Sequence, residues 1–210
     1  MTAAAVLELA PPERTVKLDL ACGQVPREGF EGVDLYAEQA QHKVDLMKFP
    51  FPWDDSSVDE LWCSHFVEHL PARNVENHDF DSRVIVGHLA TMRADIIGKD
   101  FLFAFFDECW RILKPDGVMT VQVPNAFSAG GFQDPTHRRF IVAETFGYLS
   151  AEWRKATKLD HYRVRCDFAI NVLPLIPSEL SLLHPEAQTR RMREGVNTVV
   201  GWQATMRAIK

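Results

Sequence analysis

At 210 residues and 46% hydrophobic, the chain is long enough to bury one core, so a single domain is expected and disorder, collagen and repeat arrays are excluded. A formal net charge of −6 at pH 7 argues against a sequence-independent nucleic-acid binder, and no apolar run approaches the roughly 18 residues of a membrane helix. The opening MTAAAVLELAPPERT lacks the basic and long apolar regions of a secretory signal; residues 1–14 are expected to be a loose arm and the protein cytoplasmic.

Through the first half, short apolar runs alternate with turn signals. TVKLDLAC (Thr15 to Cys22) predicts a buried strand ending at Gly23, FEGVDLY (Phe30 to Tyr36) a second, and KVDLM (Lys43 to Met47) a short third. VDELWCSH (Val58 to His65) predicts a fourth, set off by the turn-rich FPFPWDDSS. Beyond Leu70-Pro71 a polar insert, residues 72–100, carries an expected helix over Arg83 to Ile97. DFLFAFFDECWRILKPDG then predicts a helix with Asp100 as N-cap and Lys114-Pro115-Asp116-Gly117 as its stop. VMTVQVP follows as a fifth strand. A short helix is expected at Glu144 to Leu149, with further strands in YRVRCDFAINVLPLI and NTVVGWQATMRAI. This alternation implies one α/β domain over residues 15–210 with a mainly parallel sheet.

The four cysteines, Cys22, Cys63, Cys109 and Cys166, form no C-x-x-C pair, which predicts reduced thiols rather than a zinc knuckle or a redox dithiol. Charge is unevenly spread: residues 1–135 hold 11 Lys+Arg against 22 Asp+Glu, whereas residues 136–210 hold 12 against 7. The basic third is either a solvated face or the place where an anionic substrate meets the protein.

Ligands of such sheets sit outside the carboxyl ends of the strands. There the sequence puts Asp19 to Gly23, Asp34, Asp45, Ser64 to Glu68, and Pro124-Asn125. The stretch His65-Phe66-Val67-Glu68-His69 also fits H-x-x-E-H, in which two imidazoles four apart on one helix face grip zinc and the glutamate acts as base. Its context argues otherwise, because His65 ends a strand and Leu70-Pro71 stops any helix just beyond His69. The preferred reading is a strand end turning into one short helix, with His69 structural, His65 and Glu68 on the reaction side, and no residue assigned to a metal. A zinc hydrolase built on this motif, with Glu144 as a further ligand, stays open as the alternative.

Four of these stretches, in this order, resemble the class I S-adenosylmethionine-dependent methyltransferases. LDLACG is similar to the family's first motif, GVDLY to its second acidic strand end, VDLMKFPFPWDDSSVDELWCSHFVEHLP to its third and fourth strands, and FFDECWRILKPDGVMTVQVPN to its following helix and fifth strand. The match runs from about Val16 to Pro124. Its abbreviated link between strands one and two, Gly23 to Gly29, is similar to that of small bacterial and phage-type members. The glycine loop departs from the pattern at Ala21 and Val25, and Ala21 is expected to fit if its φ is negative.

The resemblance implies a Rossmann-like sheet of seven strands, mostly parallel with an antiparallel C-terminal strand, flanked by helices. It implies S-adenosylmethionine as cofactor and S-adenosylhomocysteine as product. Ala21, Cys22 and Gly23 would form the cofactor loop, with Asp19 facing the methionine amino group. Asp34 with Leu35 would meet the ribose, Asp45 with Leu46 the adenine, and Ser64 and His65 the open face. The acceptor is unassigned. GGFQDPTHRRFIVAETFGYL, within residues 126–150, reads as a substrate lid hinged at Gly130-Gly131. Candidate bases are His137, Asp134 and Glu68, with Arg138, Arg139, His161, Tyr162 and Asn125 as candidate acceptor contacts. A cofactor-binding module without turnover is a third reading.

Overall fold

A computed structural model describes residues 14–76 and 95–210. Six strands form one sheet: β1 (Lys17–Leu20), β2 (Glu31–Val33), β3 (Val58–Ser64), β4 (Leu113–Pro124), β5 (Phe168–Leu175) and β6 (Gly201–Ala208). Their order is β2-β1-β3-β4-β6-β5. Strands β1 to β4 run parallel, and β6 lies antiparallel between β4 and β5. Five α-helices are described: α1 (Phe101–Ile112), α2 (Ala129–Phe132), α3 (Ala151–Thr157), α4 (Ser178–Ser181) and α5 (Pro185–Glu194). Short 3₁₀ turns stand at Val67–His69, Ala143–Leu149 and Asp160–Tyr162.

Helix α1 forms where its signals lie. The Asp100 carboxylate accepts from the Leu102 N–H at 2.8 Å, relieving one of the first-turn donors left without an intrahelical partner. Phe101, Leu102, Phe105, Cys109 and Ile112 fall on one buried stripe. That stripe meets Phe49 and Phe51, with ring centroids of Phe49–Phe101 at 5.9 Å and Phe51–Phe105 at 6.0 Å. Each such buried ring contributes about 1.5–3 kcal/mol. Arg111 donates to the carbonyls of Phe51 and Trp53 and pairs with Glu108 at 2.9 Å, so the helix holds the segment that feeds β3.

Several expectations are corrected. Lys43–Met47 is not a strand, so the described sheet has six strands rather than seven. The three-residue β2 gives a neighbour little to pair with, and contact is reduced to one bridge, Val33 to His42. Asp45 then turns the chain: its side chain accepts from Met47 N at 3.0 Å and its carbonyl from Lys48 N at 3.0 Å. Strand β4 begins at Leu113, directly after α1, with its register against β3 broken across the Lys114–Gly117 corner. Helices α2 to α5 have no counterpart among the expected elements, the helix expected at Glu144 to Leu149 is the 3₁₀ turn Ala143–Leu149, and the long run from Tyr162 contracts to β5. The arm at residues 1–13 and most of the expected 83–97 helix lie outside the described residues.

The short link is real. β1 and β2 pair in parallel with residues 21–30 between them and no helix, although such crossovers usually take a dozen or more residues. The loop stays close to the sheet because Gly32 has no side chain. A Cβ there would sit 2.8 Å from Cys22 Sγ and 2.9 Å from Pro26 Cγ.

Candidate functional site

The same loop organises the strand-end acids. Asp19, at the end of β1 and 5% exposed, accepts from the Arg27 N–H at 2.8 Å. Burial pushes its carboxyl pKa up, against the pull of that N–H and the Arg27 charge. The Arg27 guanidinium in turn stacks 3.8 Å from the centroid of the Trp62 ring on β3. Asp34 accepts from Gly23 N at 3.2 Å, Tyr36 N at 2.8 Å and Ala37 N at 2.9 Å. Burial would raise its pKa, but these three donors and Lys43 outweigh it and hold the group below the usual carboxylate range. Burial pushes the Cys22 thiol pKa up, and the charges of Asp19 and Asp34 add to it. Asp45 closes the next turn, with Leu46 buried behind it and Leu35 exposed.

Ala21 corrects an expectation: its φ is 56°, beside Gly23 at 59°. An alanine therefore holds a left-handed backbone that glycine more often supplies.

At the end of β3, Ser64 reaches Gln122 Oε1 at 3.5 Å, and the His65 N–H stays on the Gln122 carbonyl at 2.9 Å. His65 has φ 54° and the turn after it spans only Val67–His69, so no helix presents two imidazoles on one face. The peptidase geometry is not formed. His65 Nδ1 instead meets Glu68 Oε1 at 3.1 Å, and this hydrogen bond raises the imidazole pKa against partial burial. His69, expected to be structural, packs edge-on against His137, with centroids 4.8 Å apart. Its Nδ1 lies 2.9 Å from Thr136 Oγ1, which also lies 2.7 Å from Asp134 Oδ1. His137 Nδ1 lies 3.0 Å from the Gly131 carbonyl. Thus Glu68 and His69 come together with Asp134 and His137, more than 60 residues further along the chain.

The other candidates divide. Arg139 spends its guanidinium on the Leu70 and Pro71 carbonyls and on Asp100, at 2.9 Å, which makes it a brace. Arg138 is exposed beyond it. Asn125 is buried with its amide between Val199 O, at 2.9 Å, and Trp202 Nε1, at 3.1 Å, so its side chain brackets β6. Gly131 packs against the Asn125 carbonyl, where a Cβ would sit at 2.8 Å, whereas a Cβ at Gly130 would find ordinary contact distances. His161 stacks on Tyr162 and, with Phe103, Tyr148, Arg139 and Arg163, lines a cleft of about 490 Å³. Thr136, Phe103 and Tyr148 were missed. Only Thr136 had a local signal, the Asp134-Pro135-Thr136 turn spacing.

No protein-family model and no curated protein matches the chain. Among solved structures, an S-adenosylmethionine-dependent methyltransferase from Archaeoglobus fulgidus aligns over 93% of this chain and 86% of its own, with a TM-score of 0.56 at 18% identity. One from Mesorhizobium loti aligns over 91% and 90% with a TM-score of 0.43 at 14% identity. The chain has the class I S-adenosylmethionine-dependent methyltransferase fold. Within that fold its departures are local: six described strands, a loop in place of the first crossover helix, and a left-handed Ala21 directly after β1. No helix among the described residues is long and apolar enough to cross a membrane.

Proposed function

We propose that the chain is an S-adenosylmethionine-dependent methyltransferase acting on a planar, anionic acceptor. The observation that carries this reading is that one short loop after β1 binds both strand-end acids: Asp34 accepts from Gly23 N at 3.2 Å and Asp19 from Arg27 N at 2.8 Å. A nucleoside with an ammonium-bearing tail offers hydroxyls and a positive group, which carboxylates complement. Asp19 would face the amino group, Asp34 and Leu35 the ribose, Asp45 and Leu46 the adenine, with Ser64 and His65 along the open side. Three backbone donors already occupy much of Asp34, which leaves room for one further hydrogen bond from a ribose hydroxyl.

Transfer would be an in-line displacement: the acceptor lone pair forms the bond to the methyl carbon as the carbon–sulfur bond breaks, and the enzyme supplies alignment. Residues 126–150 would act as the lid. The aromatic cleft, with Arg163 on its lining and Arg139 already engaged by Asp100, supports a flat acceptor with negative charge. A proton leaving the acceptor would go to the His137 or Glu68 end of the neighbouring cluster. Asp134, whose pKa is lowered by the Thr136 hydroxyl and amide, would orient rather than accept.

Calorimetry with S-adenosylmethionine and S-adenosylhomocysteine tests the reading. Both are expected to bind, and Asp34→Ala to weaken them by about 1–3 kcal/mol. No heat from either at millimolar concentration would remove it.

A further inference from the structure

We propose that Glu68, His69 and His137 form a binding site for a divalent first-row transition metal ion. One ligand atom from each of the three lies within 4.8 Å of the others. Within this group Glu68 Oε2 is buried and has no hydrogen-bond partner, on a side chain only 1% exposed. A buried carboxylate oxygen facing nothing is costly, and a cation between it and two imidazoles compensates it.

The hydrogen bonds around the cluster assign the tautomers. The Gly131 carbonyl can only accept, so His137 donates from Nδ1 and keeps a lone pair on Nε2. The Asp134 carboxylate takes the Thr136 hydroxyl proton, so Thr136 Oγ1 accepts from His69 Nδ1, and His69 Nε2 is also left with its lone pair. These are the outer contacts that orient metal-ligating imidazoles: a carbonyl behind one ring, and a hydroxyl backed by a carboxylate behind the other. His65 engages Oε1, so Oε2 is the Glu68 oxygen left free for an ion.

The two chain segments are locked in register. The Glu68 carbonyl accepts from both Arg138 N, at 2.8 Å, and Arg139 N, at 3.0 Å, tying the segment carrying His137 to the turn carrying Glu68 and His69. Two imidazoles and one carboxylate, without thiolate, favour zinc, iron, cobalt or nickel over calcium or magnesium. Three protein donors leave coordination positions open to an outside ligand. The inference rests on this geometry and not on the methyl-transfer reading; a bound ion would take the imidazole lone pairs that a base would otherwise use.

The test uses the untagged full-length chain, stripped with chelator and titrated with Co²⁺ by visible absorption and with Zn²⁺ by competition. One equivalent is expected to bind. His69→Ala, His137→Ala and Glu68→Gln should each weaken binding about 100-fold, and Thr136→Val about 10-fold, in the range lost with outer-shell partners. His184→Ala, far along the chain at the start of α5, should change nothing. Circular dichroism of the metal-free variants separates lost ligation from lost folding, and Glu68→Gln keeps the side-chain volume. Metal is also expected to raise the thermal midpoint of the wild type but not of His137→Ala. Absence of Co²⁺ and Zn²⁺ binding at millimolar concentration, or affinities unchanged in the three variants, would overturn the site. Binding of S-adenosylhomocysteine in excess chelator is read separately, so a failed metal site and a failed cofactor site are told apart.

Discussion

Gly32, within β2, and Asp34, just beyond its end, carry opposite burdens. Asp34 gathers three backbone N–H groups while ionised, so its folded-state pKa lies below its unfolded value near 3.9. Such a group stabilises the fold above the unfolded pKa and loses that contribution as pH falls through the folded one. Asp34→Asn is therefore expected to cost about 1 kcal/mol in urea unfolding at pH 7 and progressively less below about pH 4, because a protonated aspartic acid resembles the amide. A pH-independent difference would contradict this. Gly32→Ala should cost about 1–3 kcal/mol at any pH, since the new methyl would meet Cys22 Sγ and the Pro26 ring inside 3 Å. Ala21 shows where sequence stops informing at this scale. Its left-handed φ costs about 1–2 kcal/mol, but its methyl also packs against the core, and glycine would add about 0.5–1 kcal/mol of chain entropy. These effects nearly cancel, so alanine survives there, and no residue pattern announces the sign of φ.

Between elements, the buried pair of Lys99 and Asp107 joins the start of α1 to the approach to β5. Lys99 is 1% and Asp107 5% exposed, and the other Asp107 oxygen accepts from Arg165 N at 2.9 Å and Cys166 N at 2.8 Å. The two sides of this contact are unequal. Lys99→Met leaves Asp107 with its two N–H donors, whereas Asp107→Ala strands an ammonium and both donors. Asp107→Ala is expected to cost about 3–5 kcal/mol and Lys99→Met clearly less, measured by denaturant midpoint. Equal losses would mean that the ion pair, not the N–H capture, dominates. Helix α1 itself was legible, because its cap and stripe are local, although it ends at Ile112, before the expected Lys114–Gly117 stop. KVDLM was not: alternation is necessary for a strand, but a partner long enough to pair with is set elsewhere, by β2. The polar α5 was hidden for a related reason, since none of its residues is buried and it writes no apolar period.

Across the whole molecule, the parallel strands point their carboxyl ends to one edge, and that much followed from strand order alone. The cluster of Glu68, His69 and His137 did not, because it joins a turn after β3 to a loop after β4 through contacts some 68 residues apart in sequence. The nucleoside reading has a consequence at this same scale. Asp19 stands on β1 and Asp34 follows directly on β2, and β1 is hydrogen-bonded to β3 and so to the rest of the sheet. A ligand held there binds only the folded sheet, and its free energy adds to unfolding of the whole chain. At a concentration 100-fold above Kd the gain is about 2.7 kcal/mol. For a domain of this size that corresponds to a rise of about 5–10 °C in Tm, at roughly 2–4 °C per kcal/mol. S-adenosylhomocysteine is therefore expected to raise the midpoint of the wild type by that amount, and that of Asp34→Ala by less at the same concentration. An unmoved midpoint of the wild type at that concentration would mean that the folded chain does not bind this nucleoside.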